Sequence, residues 1–334
     1  QHSRLALSAA YRWLACPGSV YLSARCPEPA ESPYAAEGTL AHAVAEAILT
    51  DVIVMGGNFF NSYHAHKSKC ADDEMAKHVL NYYLEVTKIL LSVKVQKIAI
   101  EKKFMLDEEL DIGGTADIAF TCLSPSGKKV AGIIDLKYGQ GVPVEVEESP
   151  QLAGYAASLD KDPEWGPVDR AVVYVYQPRI EHADGPLRSM KLTRGDLDHW
   201  QLVLTRGGAR ALEQARSEAP TFDAGTHCRF CPAQGACLTY AEQMRGDCGV
   251  DFLPAEVMPE PTVLSDEQIR QLVLKRADIE SFLGRVEEFA IARALASSGV
   301  AGLKLVRGKG AGRKWSGTPD DTAVALTARG VVDP

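Results

Sequence analysis

The sequence predicts an α/β protein in which helices flank a mixed central sheet. Segments with apolar residues at helical spacing come first, three successive β-type runs follow, and one helix separates these runs from a further apolar strand. The 334 residues are 46% hydrophobic and 24% charged, which is typical of a globular chain and excludes collagen-like, coiled-coil and wholly disordered classes. A chain of this length forms one large domain or two, and it buries a core without disulfide support.

Three helices are predicted before the sheet, over residues 8–14, 37–50 and 72–91. The first has Ser8 as its expected N-cap and Pro17-Gly18 as its end. The other two carry apolar residues at helical spacing, so each is expected to bury one face.

The pattern then changes to the shorter period of strands, over residues 95–106, 112–123 and 130–138. A turn at 124–128, which contains Pro and Gly, separates the last two runs. A short helix over 150–159 follows, and the apolar run at 170–177 predicts a buried strand. This order places most of the sheet in the first half of the chain.

Further segments complete the predicted order towards the C-terminus. These are a helix at 194–217, a linker at 253–262, a long helix at 266–297 capped by Ser265, and a basic stretch at 302–316 that contains no acidic residue. The basic stretch is consistent either with an arm that contacts phosphates or with a solvated tail.

Charge and hydropathy predict a cytoplasmic protein. No run approaches the about 18 apolar residues of a membrane span, and the first residues lack the apolar block of a signal peptide. The eight cysteines are therefore candidate thiols or metal ligands rather than a disulfide framework. The net charge of −8 argues against a passive nucleic-acid coat, although a local metal site offsets such a charge where a phosphate binds.

An acidic pair and a lysine mark the candidate chemistry. Asp135 and Lys137 end an apolar run, and two-residue spacing on a strand directs both side chains to one face. Asp117 follows two glycines on the preceding strand, so two carboxylates come near one hard cation such as Mg²⁺ or Mn²⁺. An edge-strand salt bridge is the alternative interpretation of Asp-x-Lys alone.

Four short motifs occur together in the first half of the chain: Gly38-Thr39-x-x-His42, Gly114-x-x-Asp117, Asp135-x-Lys137 and Gln151-x-x-x-Tyr155. In this order they resemble the PD-(D/E)XK nucleases of the RecB type. The resemblance implies a mixed four-stranded core flanked by helices. It also implies that the metal ligands are His42, Asp117 and Asp135 and that the catalytic lysine is Lys137. Two further residues, Gln151 and Tyr155, would line a DNA channel.

The residue types suit phosphodiester hydrolysis. The reaction adds negative charge to the phosphoryl oxygens and needs a hydroxide-like nucleophile, both of which a carboxylate-held divalent cation provides. Lys137 stabilises the developing charge or orients the attacking water. Glu37 and Glu101 are further, weaker candidates for the acidic cluster.

A second constellation contains cysteines. Cys228-x-x-Cys231-x5-Cys237 offers three thiolates in a compact segment, and His227 or Cys248 would complete a tetrahedral zinc site, which the spacing alone favours. Cys16 would instead complete a Cys₄ [4Fe–4S] site. The chain resembles the iron–sulfur subset of these nucleases, in which one cysteine precedes the core and three follow it, and this implies a [4Fe–4S] cluster on Cys16, Cys228, Cys231 and Cys237. The other cysteines are interpreted as ordinary thiols.

The resemblance divides the chain into four parts. These are an N-terminal segment at 1–36 with the first cluster cysteine, a nuclease core at 37–220, a cysteine cluster region at 221–250, and a C-terminal helical and basic segment at 251–334. The stretches at 8–23, 34–46 and 312–315 look most like phage-encoded members, which implies an exonuclease that acts beside a single-strand annealing protein.

The expected function is therefore a metal-dependent DNA exonuclease. A structure-specific or sequence-specific endonuclease on the same core, a catalytically silent subunit that binds DNA ends, and a zinc-stabilised interaction module are the alternatives. Asp117, Asp135 and Lys137 are all present, and this argues against the silent subunit.

Overall fold

A six-stranded mixed sheet lies at the centre of the fold. The structure is a computed structural model that describes residues 3–26, 32–140, 142–248, 266–296 and 299–303. The strands run in the order β1-β3-β4-β5-β6, and β2 pairs with β3. Their bounds are β1 Leu5–Ala6, β2 Lys94–Asp107, β3 Ile112–Leu123, β4 Lys129–Leu136, β5 Arg170–Tyr176 and β6 Leu187–Leu192.

Helices cover both faces of this sheet. The helices in the described part of the chain are α1 Ala10–Ala15, α2 Gly18–Ser23, α3 Pro33–Leu49, α4 Phe59–Lys67, α5 Asp73–Leu91, α6 Pro150–Lys161, α7 Arg194–Arg216, α8 Leu238–Cys248 and α9 Asp266–Leu295. One buried cluster packs α1, α6 and α7 against the sheet through residues such as Trp13, Leu152 and Leu204. The other packs α3 and α5 against the opposite face through residues such as Ile48 and Tyr82. The predicted α/β class with a mixed sheet flanked by helices is confirmed.

Strand β3 organises the sheet because it pairs with three other strands. It is antiparallel to β2 along its whole length and antiparallel to β4 from Ile118 to Leu123. The short strand β1 pairs in parallel with Ile112 and Gly113. Since β2 occupies one edge of β3 throughout, β1 and β4 share the other edge. Within the described residues, positions 114–117 on that edge have no strand partner, and this opens a gap in the sheet.

The N-terminal helix differs from its prediction in both its cap and its continuation. Helix α1 begins at Ala10 with Ala9 as the N-cap residue and no side-chain cap, so the prediction of Ser8 as the cap was wrong. The chain re-enters a helix directly at Gly18. Proline fixes φ at a value that suits a helix start, and therefore Pro17 precedes a new helix as well as ending the first.

Helix α3 also starts earlier than residue 37. Ser32 caps it by accepting a hydrogen bond from the backbone N–H of Ala35 at 3.1 Å, and Pro33 stands in the first turn where its missing N–H costs nothing. The extra turn fixes the helix on which His42 lies.

Strand β3 has the predicted bounds, and β2, β4, α6 and α7 agree with their predictions within about two residues. The sheet has six strands where the resemblance implied four, because β1 and β6 extend it. Helix α4 and strand β6 were not predicted.

Some predicted features fall outside the described residues. They are the linker at 253–262, the cap at Ser265 and the basic stretch from residue 304 onward. Backbone contacts divide the chain into a unit Gln1–Val286 and a unit Glu287–Pro334. Among the described residues no helix combines the length and the apolar character that a membrane span requires.

Candidate metal and nucleic-acid site

The gap in the sheet contains the first of the predicted side chains. Asp117 lies at the edge of β3 where regular pairing with β4 stops, and its Oδ2 atom accepts a hydrogen bond from the backbone N–H of Leu136 at 2.7 Å. The Asp117 carboxylate thus takes the place of the β3 backbone carbonyl that would accept this hydrogen bond if the pairing of β3 and β4 continued. The carboxylate of Asp117 is fixed by this bond at the junction of β3 and β4.

Two further side chains complete a group of potential metal ligands around Asp117. His42 on α3 approaches with its Nδ1 atom 3.5 Å from Asp117 Oδ2. Glu101 on β2 stands opposite Asp117 in the antiparallel register. One ligand atom from each of His42, Glu101 and Asp117 lies within 4.8 Å of the other two, so a single cation can contact all three.

The backbone of Glu101 is unusual for a strand residue. Its φ is +47°, in the left-handed region that costs a non-glycine residue about 1–3 kcal/mol. The neighbouring residues Ile100 and Lys102 keep their regular partners on β3. The unusual conformation is therefore confined to the residue whose carboxylate points towards His42 and Asp117.

The carboxylates of this group repel each other in a dry environment. Burial, followed by the charge of Asp135, raises the pKa of Asp117 to about 6, although His42 opposes the shift. Burial, followed by the charge of Asp117, raises the pKa of Glu101 to about 7. Like charges that are buried together are stabilised when a cation lies between them, so the electrostatics of the group suit a cation.

Asp135 and Lys137 lie next to this group at the end of β4. Asp135 is 2% exposed, and its Oδ2 atom is 2.9 Å from Lys137 Nζ. Among the described residues, this ion pair with Lys137 is the polar contact of Asp135 Oδ2. Burial alone would lower the pKa of Lys137, but the adjacent Asp135 carboxylate outweighs burial and raises it. Lys137 therefore stays a cation at neutral pH.

A small cavity of about 10 Å³ lies between α3, α5 and the sheet, and His42, Glu46, Glu101 and Asp117 are among its lining residues. The hydroxyl of Tyr82 at its back is buried and has no hydrogen-bond partner in the described part of the chain. The space suits one ion or one water and no side chain. His42, Glu101 and Asp117 at this cavity therefore fit a bound divalent cation, whereas Asp135 does not line the cavity and its Oδ2 atom contacts Lys137.

Gln151 and Tyr155 lie one turn apart on α6, above the same gap. The Nε2 atom of Gln151 donates a hydrogen bond to the hydroxyl of Tyr155 at 3.1 Å. The Tyr155 ring packs on Gly114, where a Cβ atom would stand 2.7 Å from the ring. Burial, followed by the charge of Asp135, raises the pKa of Tyr155, so the tyrosine is a neutral hydrogen-bonding group beside the acidic residues.

The chain matches one family model and is distantly similar to a solved structure. A family model described as protein of unknown function (DUF2800) matches residues 2–333. The chain belongs to the DUF2800 family. A solved structure described as "Crystal structure of SSO0001" is 15% identical, with a TM-score of 0.29, and the match covers 60% of the DUF2800 chain and 85% of that structure.

A second cavity of the DUF2800 protein is surrounded by thiols. Cys16, which follows α1, lines a space of about 20 Å³ together with Cys228, Cys231 and Cys237. All four are free thiols. The backbone N–H of Asp223 donates to the Sγ atom of Cys16 at 3.5 Å. Residues about 200 positions apart in the sequence thus meet at one point of the fold.

The spacing of the four thiols can be compared with the spacing that a zinc ion requires. Within the described residues, no three cysteine sulfurs lie within 4.8 Å of one another, whereas zinc with bonds of about 2.3 Å places its sulfurs about 3.8 Å apart. His227 also lines the cavity, but its Nε2 atom is 2.9 Å from the backbone carbonyl of Asp223, so this nitrogen donates a hydrogen bond. The side chain of Cys248 lies outside the described residues.

The structure brings together most of the residues singled out by their motifs. His42, Asp117, Asp135, Lys137, Gln151 and Tyr155 surround the gap in the sheet. Glu37 does not join them, because its Oε2 atom accepts a hydrogen bond from Arg179 Nη1 at 2.6 Å. Glu101 takes a more central position than its weak sequence signal indicated. That signal was a single carboxylate inside the otherwise apolar and cationic stretch 98–104.

Proposed function

We propose that this DUF2800 protein is a metal-dependent DNA exonuclease of the PD-(D/E)XK class. The observation that carries the proposal is the meeting of His42, Asp117, Asp135 and Lys137 at one gap in a mixed sheet, with Glu101 within 4.8 Å of ligand atoms of His42 and Asp117. A buried acidic group beside a lysine that remains charged is the donor set required to hydrolyse a phosphodiester.

The proposed metal is Mg²⁺ or Mn²⁺, held by His42, Asp117 and Asp135, with Glu101 as a further ligand. Carboxylate oxygens suit both ions, and an imidazole nitrogen favours the transition metal Mn²⁺ over Mg²⁺. When bound, the ion would polarise the phosphoryl oxygen and lower the pKa of a coordinated water.

The residues of the chain then have separate tasks in hydrolysis. Lys137, kept protonated by Asp135, stabilises the charge that develops on the phosphoryl oxygens as water attacks phosphorus and releases one of its protons to solvent. The bond from phosphorus to the leaving oxygen breaks, and that oxygen takes up a proton from solvent. Leu136 N–H holds Asp117 in place through the 2.7 Å hydrogen bond, so the site is preorganised before DNA arrives.

Gln151 and Tyr155 would position the DNA strand. Both lie on α6 above the gap, and their mutual hydrogen bond leaves one N–H of the Gln151 amide to donate to a phosphate or a base edge. The neutral Tyr155 side chain is 4% exposed, so it would act by holding Gln151 through this hydrogen bond.

The four cysteines would hold a [4Fe–4S] cluster with a structural role. Four thiols that line one common cavity, from segments far apart in the sequence, support a shared metal group at this point of the fold. Such a cluster would join the segment after α1 to the segment before α8, and its binding free energy would add to the stability of the fold.

The proposed setting is the cytoplasm of a bacterial host, with a phage-encoded enzyme that acts beside a single-strand annealing protein. This part of the proposal is supported by the resemblance of the stretches at 8–23 and 34–46 to phage-encoded nucleases.

The test compares three DNA forms in Mn²⁺ or Mg²⁺: linear duplex, linear single strand and covalently closed circles. Wild-type protein is expected to degrade linear DNA and to leave circles intact. Lys137→Ala is expected to lose activity at least a hundredfold, while Lys128→Ala, which removes an exposed lysine from a surface turn, keeps it. Cleaved circles would instead indicate an endonuclease, and DNA that is bound but never cleaved would indicate a silent end-binding subunit.

A further inference from the structure

A second polar cavity, of about 140 Å³, adjoins the proposed site on the side of β1, and we call it the Lys103 cavity. An engineered cavity of about 150 Å³ accommodates benzene, so the volume suffices for a phosphate group. Its lining residues are Ser3, Ala6, Ser8, Lys103, Gly113, Gly114, Thr115 and Tyr155.

The charge of this cavity differs from that of the molecule. The whole chain has a net charge of −8, yet among the described residues the cavity lining contains one cation, Lys103, and no acidic side chain. Within the described residues the hydroxyls of Ser8 and Thr115 make no hydrogen bond. One ammonium with two hydroxyl donors is the chemistry that binds a phosphate oxygen.

The position of the cavity relates it to the proposed site. Lys103 and Thr115 stand opposite each other in the register of β2 and β3. Lys103 lies two residues from Glu101, and Thr115 lies two residues from Asp117. The Lys103–Thr115 pair is therefore about 7 Å along the strands from the Glu101–Asp117 pair. This is about two nucleotides of rise along a strand of B-form DNA.

Tyr155 lies between the acidic group and the Lys103 cavity. Its ring lines the Lys103 cavity and lies against Gly114, while its hydroxyl accepts the hydrogen bond from Gln151. A DNA strand that passes Gln151 and Tyr155 would therefore reach the acidic group on one side of the ring and the Lys103 cavity on the other.

We propose that the Lys103 cavity is an anion subsite that binds a non-scissile phosphate of the DNA strand, one or two nucleotides from the phosphate that is cleaved. This inference rests on the proposed function and adds a second point of contact to it. The phosphate is either a terminal monoester at a strand end or an internal diester, since both present the same oxygens to Lys103, Ser8 and Thr115.

The test measures DNA binding without cleavage. Fluorescence anisotropy in EDTA gives the affinity of the full chain for single-stranded oligonucleotides that carry a 5′-phosphate, a 3′-phosphate or two hydroxyl ends, over a range of salt concentrations. Loss of one phosphate contact reduces the slope of log K against log salt by about 0.7 for single strands. Lys103→Gln is expected to show this reduction, and Lys103→Arg to restore the wild-type slope.

The matched control is Lys94→Gln, because Lys94 is an exposed lysine at the far end of the same strand. It is expected to keep the wild-type slope. A reduction seen only with one phosphorylated end assigns the subsite to a terminal monoester, and a reduction seen equally with hydroxyl ends assigns it to an internal diester. Equal slopes for Lys103→Gln and Lys94→Gln with every oligonucleotide would overturn the proposal, as would wild-type protein that binds none of them.

These outcomes are separable from the nuclease proposal, since binding in EDTA does not depend on cleavage. A protein that cleaves linear DNA but shows no Lys103 effect keeps the proposed function and loses the subsite. A protein that shows the Lys103 effect but cleaves nothing keeps the subsite and loses the nuclease.

Discussion

The Oδ2 atom of Asp135 lies 2.9 Å from the Nζ atom of Lys137, two residues further along the chain. The carboxylate is almost fully buried, so loss of the ammonium would leave a buried charge without its partner. Removing the ammonium alone, as in Lys137→Ala, is expected to lower the free energy of unfolding by about 3 kcal/mol. Urea denaturation of the metal-free protein measures this change, and the variant remains folded.

The double variant Lys137→Ala/Asp135→Asn checks the cause. With the buried charge also removed, its loss of stability is expected to be smaller than the sum of the two single losses, and the difference gives the coupling energy of the pair. Strictly additive losses would show that the 2.9 Å contact contributes nothing to stability.

Glu101→Gln tests whether the third carboxylate binds the metal. Without metal the substitution removes a charge that the Asp117 carboxylate opposes, so the Tm in EDTA is expected to rise. With Mn²⁺ it removes one ligand, so the metal is expected to bind at least tenfold more weakly and to raise the Tm by less. Thermal unfolding with and without Mn²⁺ measures both effects.

Glu109→Gln, an exposed carboxylate just beyond the same strand, is the control and is expected to change neither Tm. A Glu101→Gln variant with wild-type affinity for Mn²⁺ would exclude Glu101 from the metal site.

The stability of the metal-free protein is expected to depend on pH through Asp117. Burial and the Asp135 carboxylate raise the pKa of Asp117 from its ordinary 3.8 to about 6, so the folded protein binds the proton more tightly than the unfolded chain does. This contribution to stability is fully present below about pH 4 and is lost as the pH rises through about 6. The difference in Tm between wild type and Asp117→Asn in EDTA, followed over this range, isolates it.

Metal binding is expected to have the opposite dependence on pH. The ligands must lose their protons before they coordinate, so Mn²⁺ is expected to raise the Tm more at pH 7.5 than at pH 5.5. An equal increase at both values would show that Asp117 is not protonated at the lower pH, or that it does not bind the metal.

The sheet illustrates how far the sequence predicts this fold. The apolar run in residues 112–123 located β3 at both ends, because a strand that is buried on both faces has apolar residues at consecutive positions. Strand β6, with the sequence LRSMKL, was missed because an edge strand with two cations carries little of that pattern.

The candidate site likewise contains residues that the sequence predicts and one residue whose role only the fold shows. Asp117, Asp135 and Lys137 were found because they interrupt apolar strands, but the role of Glu101 depends on the register between β2 and β3 and on a left-handed φ. Alternation along one strand fixes which face a side chain takes and leaves open which residue stands opposite. The partner of Asp117 therefore became visible only in the fold.

The cysteine site gives a prediction that does not depend on nuclease activity. Protein purified without oxygen is expected to be brown and to contain iron and sulfide. Cys231→Ala is expected to lose the colour and to unfold at a Tm several degrees lower, because the binding free energy of the cluster adds to the stability of the folded state.

Cys70→Ala is the matched control, since Cys70 is a half-buried free thiol that does not line the cysteine cavity. It is expected to keep both the iron and the Tm. Stoichiometric zinc without iron in the wild type would replace the cluster by a zinc site, in which His227 would have to release the carbonyl of Asp223 if its Nε2 atom is the fourth ligand. A Cys231→Ala variant with unchanged Tm would show that the cysteines do not hold the two ends of the fold together, whichever metal they bind.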